Sequence, residues 1–315
     1  MSLSLPSLVR PYRDYDLRRM ALDSRITHTR PSSRTYYDAS SRLQTAAADV
    51  CPLEYDPVTG LVVGRSFWPA ATNIIANSGV FTGWTLRNAA VTANVADSPL
   101  GSGTASRVTD NATLDYHLIY AGTGITDSLD YARSVVVKKD TARYVVLGIA
   151  IGFSAASNTW IFDFDTAAWA TTPVPSGQLG HTFPPEQLRE GWWRLTIGNL
   201  CSTTNNNRFA VGVSSGPTRP DTAYAGSGAL SVLVAHAQFE QTSGPGIPGT
   251  PIILTSGTAV TRAADSASIV IAPGDTRLVT TYSDGTTRTD TVTPGATYTI
   301  PSSGKMIRHI RGYRS

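Results

Sequence analysis

The sequence predicts an all-β protein: a jelly-roll-like two-sheet sandwich with an extended N-terminal arm and a small C-terminal β domain. Three observations carry this expectation. Short runs of β-branched and aromatic residues alternate with clusters of Gly, Pro, Asn and Ser, and no long amphipathic helical period interrupts them. Only 16% of the 315 residues are charged, against roughly 25% in an average chain, with Thr, Ser, Ala and Gly in their place. Hydrophobic residues still make up 41%, enough to fill a core.

Residues 1–23 read as an arm. Pro6 and Pro11 break regularity, and residues 14–22 amount to two helical turns, which are marginal alone in water. Residues 24–70 read as hairpins and connectors, with a strand at 24–29 and turns at Pro31-Ser32-Ser33, Asp38-Ala39-Ser40 and Asp56-Pro57. Residues 71–245 form the predicted sandwich, with strands at 134–138, 144–153, 159–164, 192–197, 208–213 and 230–239. Trp160, Phe162 and Trp192 would supply its aromatic core. Residues 246–315 read as a linker and a small β unit. The linker-like composition spans 242–258, around Gly244-Pro245-Gly246 and Pro248-Gly249. The unit's strands fall at 268–271, 277–282, 287–292 and 297–300, with Asp284-Gly285 as a hairpin turn. So small a core gains by packing on other elements or on copies of itself.

The net charge is +3, but its distribution says more. Residues 1–34 carry seven Arg and three Asp, and residues 305–315 carry four cations and no acid, leaving −5 for the body. An acidic body argues against a nucleic-acid-binding core, whereas basic ends suit docking on an acidic protein shell. Cys51 and Cys201 stand alone, without a CxxC or a Cys/His cluster, so buried thiols are expected and neither a metal nor a cofactor. The N-terminus lacks the apolar stretch of a signal peptide, and no apolar run is long enough for a membrane helix. The expectation is a chain made without export and without membrane insertion.

No complete catalytic constellation emerges. Asp163 and Asp165, spaced i, i+2, would share a strand face about 7 Å apart, which suits a glycosidase pair, or would cap backbone donors in a strand-end turn. Glu186 and Glu190 flank the approach to Trp192, with nothing in the sequence to pair with them. The five His residues are scattered, and there is neither a GxSxG elbow nor a P-loop. No catalytic residue is assigned, and no enzyme is expected.

A series of motifs then carries a resemblance. They are Asp23-Ser24-Arg25-Ile26-Thr27-His28-Thr29-Arg30, Thr35-Tyr36-Tyr37-Asp38-Ala39-Ser40, Leu43-Gln44-Thr45 and Glu54-Tyr55-Asp56-Pro57. Further along come Ala71-Thr72-Asn73 ahead of Asn77-Ser78, Gly191-Trp192-Trp193-Arg194, Ala237-Gln238-Phe239-Glu240 and Arg262-Ala263-Ala264-Asp265. Over about residues 23–268 the chain resembles structural fibre or spike proteins of tailed phages, prophages or gene-transfer-agent-like particles. Those proteins carry a concanavalin A-like or carbohydrate-binding-module-like sandwich. Residues 63–70 depart from the acidic, apolar segment usual in that family, and the two ends of the chain are not general family property.

The resemblance implies a virion protein, made in the host cytoplasm, that attaches to capsid, portal or tail proteins and touches a cell-surface polysaccharide. Homotrimeric assembly is expected, since fibres and spikes use cyclic symmetry. The alternatives are a polysaccharide depolymerase and a purely architectural decoration protein. Aromatic faces stack on sugar rings while carboxylates bind hydroxyls, so Trp193, Trp84, Trp169, Asp163 and Asp165 are the candidate glycan-binding residues. Trp192 and Trp193 must point to opposite faces of a strand. Arg10, Tyr12, Arg13, Tyr15, Arg18 and Arg19 are the candidate particle contacts, because Arg and Tyr are enriched at interface hot spots.

Overall fold

The computed structural model describes residues 13–122, 124–126, 128–149, 159–171, 180–201, 208–242 and 248–314. Apart from short 3-10 turns at Arg189–Gly191 and Arg219–Thr222, every regular element in them is a strand. The chain is all-β, as expected, and divides into two compact units.

The larger unit, residues 41–44 and 71–262, is the sandwich. Its first sheet has the order His181–Thr182, Trp192–Leu200, Asp130–Lys139, Ser231–Gln241, Gly101–Asp110, Ala89–Ser98. Its second has the order Ala168–Trp169, Thr159–Asp163, Tyr144–Gly148, Arg208–Ser214, Leu114–Gly122, Ala223–Ala225. A short seventh strand, Glu186–Gln187 in the first and Thr85–Arg87 in the second, completes each. All pairings are antiparallel. The inward set includes Phe81, Val135, Val145, Trp160, Phe162, Leu195, Phe209 and Phe239, in one contiguous cluster. Each such side chain contributes about 1.5–3 kcal/mol on burial.

The expected strands near 134, 144, 159, 192, 208 and 230 are present, the second of them described as Tyr144–Gly148. Residues 150–158 and the Asn-rich 203–207 lie outside the described residues. Three long strands, Ala89–Ser98, Gly101–Asp110 and Leu114–Gly122, were not legible. In the first two, Ala, Thr, Ser and Gly hide the alternation that larger side chains would display, and in Leu114–Gly122 the apolar residues Leu118 and Ile119 are adjacent, which breaks it.

The linker expected over 242–258 is corrected. Residues 248–257 form a strap on the outer face of the first sheet, with Thr250, Ile252 and Ile253 buried. Glu240 accepts from the Thr250 amide (2.6 Å) and hydroxyl (2.8 Å), and Gln238 accepts from the Ile253 amide (2.7 Å). Asn73 donates to the carbonyl of Ile253 (2.9 Å), and Ser78 and Thr255 exchange side-chain and amide bonds. Gly and Pro set backbone flexibility in isolation, but here the strap's polar groups have partners, so it stays put. The strap also explains why Asp130–Lys139 and Ser231–Gln241 are buried on both faces.

The smaller unit joins the two ends of the chain. It holds the described residues up to Ser40, then 45–70 and 263–314. One sheet has the order Thr287–Thr291, Arg277–Tyr282, Met306–Tyr313, Val62–Ser66, Glu54–Tyr55, with Arg13–Asp16 also pairing to Met306–Tyr313. The other has the order Ile26–Thr29, Ser266–Val270, Thr297–Ile300. Between them lie Tyr15, Leu17, Ile26, Phe67, Ile269, Leu278, Ile300, Ile307 and Ile310. The expected C-terminal strands and the Asp284-Gly285 turn are present, but they do not form a self-contained domain. The arm over 1–23 is corrected from residue 13 onward. Arg13–Asp16 is a strand, registered Arg13 to Gly312 and Asp16 to His309, because Tyr15 and Leu17 supply an alternating apolar face to an otherwise open edge.

Candidate functional site

The aromatic residues singled out in the sequence do not all meet. Trp84 is a core residue, 5.1 Å from Phe81 and 6.3 Å from Phe209 between ring centres, so it presents no face to a ligand. Trp193 points into the sandwich and packs on Phe162 at 5.4 Å, whereas Trp192 turns to the opposite face and is buried there. Both are therefore covered to a large degree, in opposite directions. Trp169 approaches the same Phe162 at 5.8 Å and donates its indole N–H to the carbonyl of Phe183 (2.8 Å). Trp169, Trp193 and Phe164 thus gather, half-buried, around one core ring.

Asp163 and Asp165 flank this cluster without forming a catalytic pair. The strand ends at Asp163, so the two carboxylates do not share its face. Asp163 is buried and takes a two-pronged bond from Arg143 (2.9 and 2.7 Å), which, against the opposing pull of burial, holds its carboxyl at about 2. It also accepts the Asp165 amide at 2.9 Å, the expected strand-end cap. Asp165 is exposed and paired with Lys139 (2.5 Å). Glu186 lies 3.9 Å from Arg194, and Glu190 is paired with Arg189 at 2.6 Å.

Of the expected particle contacts, Arg10 and Tyr12 lie outside the described residues. Tyr15 is corrected: it is 1% exposed and belongs to the smaller unit's core. Arg13 lies 4.0 Å from the buried Asp275, and Arg18 is tied to Asp16 at 3.0 Å. Arg19 is exposed, and its carbonyl accepts from Arg65 at 2.9 Å.

A concavity lies elsewhere on the sandwich unit. A pocket of about 580 Å³ is lined by residues 42–44, the hairpin tip 97–102 and the turn at 189–190. Its size falls within the range of small-molecule sites, ~300–1,000 Å³. Three loop ends converge on it, each turned by a left-handed residue: Ser41 (φ 57°), Gly101 (137°) and Glu190 (58°). For Ser41 and Glu190 that conformation costs on the order of 1–3 kcal/mol, a cost that concentrates at functional sites.

The walls are hydrogen-bonding groups in fixed positions. Asp97 accepts from the Gly103 amide (2.9 Å) and the Ser102 hydroxyl (2.8 Å), which hold its carboxyl below the usual carboxylate range. The Leu43 amide donates to the carbonyl of Pro99 at 3.0 Å, fastening one wall to the next. Arg42, Gln44 and the Arg189–Glu190 pair add both signs of charge and an amide, and Pro99, Leu100 and Leu43 add apolar surface. Sequence reasoning reached only two parts of this wall. It named Leu43-Gln44-Thr45 among the motifs and noticed Glu190 with nothing in the sequence to pair with it. The rest is assembled by tertiary contacts that leave no local pattern.

Among the described residues, no cluster of three or more His, Cys, Asp or Glu is arranged to hold a metal ion. Among the same residues, no helix is long and apolar enough to cross a membrane. Neither Cys51 nor Cys201 is in a disulfide, and burial pushes both thiols up, Cys51 to about 11.

No protein-family model and no curated protein matches the chain. Solved structures of carbohydrate-binding modules and glycoside hydrolases do match weakly. The CBM22-1–GH10 modules of endo-1,4-beta-D-xylanase 10B from Clostridium thermocellum, complexed with xylohexaose, align at 11% identity and a TM-score of 0.31. The match covers 57% of this chain and 29% of that one. A CBM4 structure aligns at 12% identity and a TM-score of 0.28, over 51% of this chain and 79% of that one. The CBM22-1–CBM22-2 tandem domain of Paenibacillus barcinonensis Xyn10C aligns at 11% and 0.27, over 78% and 89%.

Proposed function

We propose that this chain is a virion structural protein, a fibre, spike or decoration subunit, whose sandwich adheres to saccharides of the host surface. The order and spacing of its motifs, which resemble those of phage structural proteins, support the virion role. The pocket at 42–44, 97–102 and 189–190 carries the adhesive role. A saccharide offers hydroxyls in a ring and apolar C–H faces. Carboxylate, guanidinium, amide and hydroxyl groups meet the former, and Pro99 and Leu100 meet the latter. The pocket's acids are already engaged, Asp97 by neighbouring donors and Glu190 by Arg189, which suits holding a ligand rather than exchanging protons with it.

The test is calorimetric titration with oligosaccharides cut from host surface polysaccharide. Asp97→Ala and Gln44→Ala should each weaken binding about tenfold, the effect of losing one or two hydrogen bonds. Equal affinity in both variants removes the pocket from the reading. No binding at all leaves the architectural role, and time-dependent shortening of intact polymer establishes a depolymerase.

A further inference from the structure

The strand Thr287–Thr291, Thr-Arg-Thr-Asp-Thr, is the margin of the six-stranded sheet and, among the described residues, pairs on one side only, with Arg277–Tyr282. The Tyr282 amide donates to the Thr286 carbonyl, and the Val292 amide to the Thr276 carbonyl, both at 3.0 Å. These two bonds set the phase of the ladder. Arg288 and Asp290 turn their amides and carbonyls inward to the neighbouring strand, whereas Thr287, Thr289 and Thr291 turn theirs outward. All these residues are exposed except Asp290, which is half-buried.

We propose that this edge is a two-fold contact with a second copy of the chain, paired antiparallel about Thr289. The sequence is self-complementary in that register. Thr289 meets its own counterpart, and Thr287 meets Thr291 of the second copy. Arg288 meets Asp290 of the second copy, and the reverse. The phase fits as well. The three outward residues fall in the hydrogen-bonded positions, giving on the order of six backbone bonds, and the charges fall in the closer, non-hydrogen-bonded positions. Thr–Thr and opposite-charge pairs are the favourable cross-strand neighbours. Within one chain the guanidinium of Arg288 already lies along Asp290 (3.0 and 2.9 Å), and Tyr298 donates to the same carboxylate at 2.7 Å. Pairing would extend this into four alternating charges without moving either group to a new face. Charged residues on edge strands commonly block pairing. A guard of one sign repels its own copy, whereas this arrangement attracts it. A contact of five residues a side is far below the roughly 1,200–2,000 Å² of a stable interface, so it is weak in free solution and strengthens where copies are held close. The contact is independent of the saccharide reading.

Sedimentation equilibrium of the full chain, from micromolar to millimolar, tests it. The expected result is a monomer–dimer equilibrium. Arg288→Asp, which leaves carboxylates at both positions, should weaken association about tenfold, and so should Asp290→Arg. An equimolar mixture of the two variants should associate as the wild type does, and so should the double exchange R288D/D290R. Thr289→Pro, which removes an outward amide and no ladder bond, should abolish association. Circular dichroism and melting temperature confirm that each variant is folded. A wild type that stays monomeric throughout, or single variants that associate unchanged, overturns the proposal.

Discussion

Asp265 shows how a single residue can gather distant signature positions. Its side chain is fully buried and accepts from His28 and Arg30 (2.9 Å each), from the Trp68 amide (2.9 Å) and from Arg34 (3.5 Å). Arg34 continues to Glu54 at 2.5 Å, and Glu54 also takes the Ser66 hydroxyl. Most of these residues lie in or beside the recurring motifs, so those motifs specify a buried charge network rather than a ligand. Burial alone would raise the Asp265 carboxyl. The hydrogen bond from His28, the Arg34 charge and the bonds from Trp68 and Arg30 prevail and hold it at about 2. The unfolded carboxyl titrates near 3.8, so this contribution is whole above that pH and is lost as pH falls towards 2. It amounts to about 2 kcal/mol. Asp265→Asn leaves Arg30 buried without its anion, and Arg34 with Glu54 alone, and should cost about 3–5 kcal/mol in urea unfolding. A loss below 1 kcal/mol, on the order of an exposed pair, would show that water screens the site.

At the scale of elements, the strap over 248–257 depends on groups far from it in sequence. Local composition reports only that Gly and Pro break a regular strand there. The anchors Asn73, Gln238 and Glu240 sit on other strands and Ser78 in a distant turn, so the strap could not be read from its own residues. The Asp284-Gly285 turn and the strand at 159–164 were legible because their signals, turn chemistry and alternation, are local. Behind the strap lies His236, fully buried, with Nε2 3.3 Å from the carbonyl of Ile253, to which the neutral ring donates. Burial first, and the Arg194 charge second, push its pKa down to about 3. An unfolded His titrates near 6.5. This contribution is therefore whole above pH 6.5 and is lost as pH falls below it. By about pH 4.5 the loss is about 3 kcal/mol. Thermal melts should show the sandwich weakening between those values, and His236→Gln, which keeps a donor but does not titrate, should flatten that slope. An unchanged slope in the variant would assign the acid sensitivity elsewhere.

At the scale of the whole molecule, the chain closes on itself. Its first described strand and its last pair along one sheet, with Tyr15 opposite Ile310. A contact separated by nearly the full length of the chain leaves no local trace, which is why residues 13–17 looked like an arm and the C-terminal strands like a separate domain. Most of the sandwich's core strands escaped this problem because they carry their own apolar runs, such as Tyr144–Gly148 and Ser231–Gln241. The closure bears directly on attachment. Residues 13–17 cannot both fill the smaller unit's core and reach out to a partner, so under the proposed virion role any particle contacts from this end come from residues before Arg13 or from exposed positions such as Arg19. Two truncations separate these roles. Deleting residues 1–12 removes Arg10 and Tyr12 and leaves every described contact in place, so the melting temperature should hold while incorporation into particles is lost. Deleting residues 1–17 also removes Tyr15 and Leu17, each 1% exposed. Emptying two such positions costs about 2–5 kcal/mol apiece, enough to unfold the smaller unit. Unfolding by the shorter deletion would make the first twelve residues structural. Full stability after the longer one would show that the smaller unit's core does without its N-terminal strand.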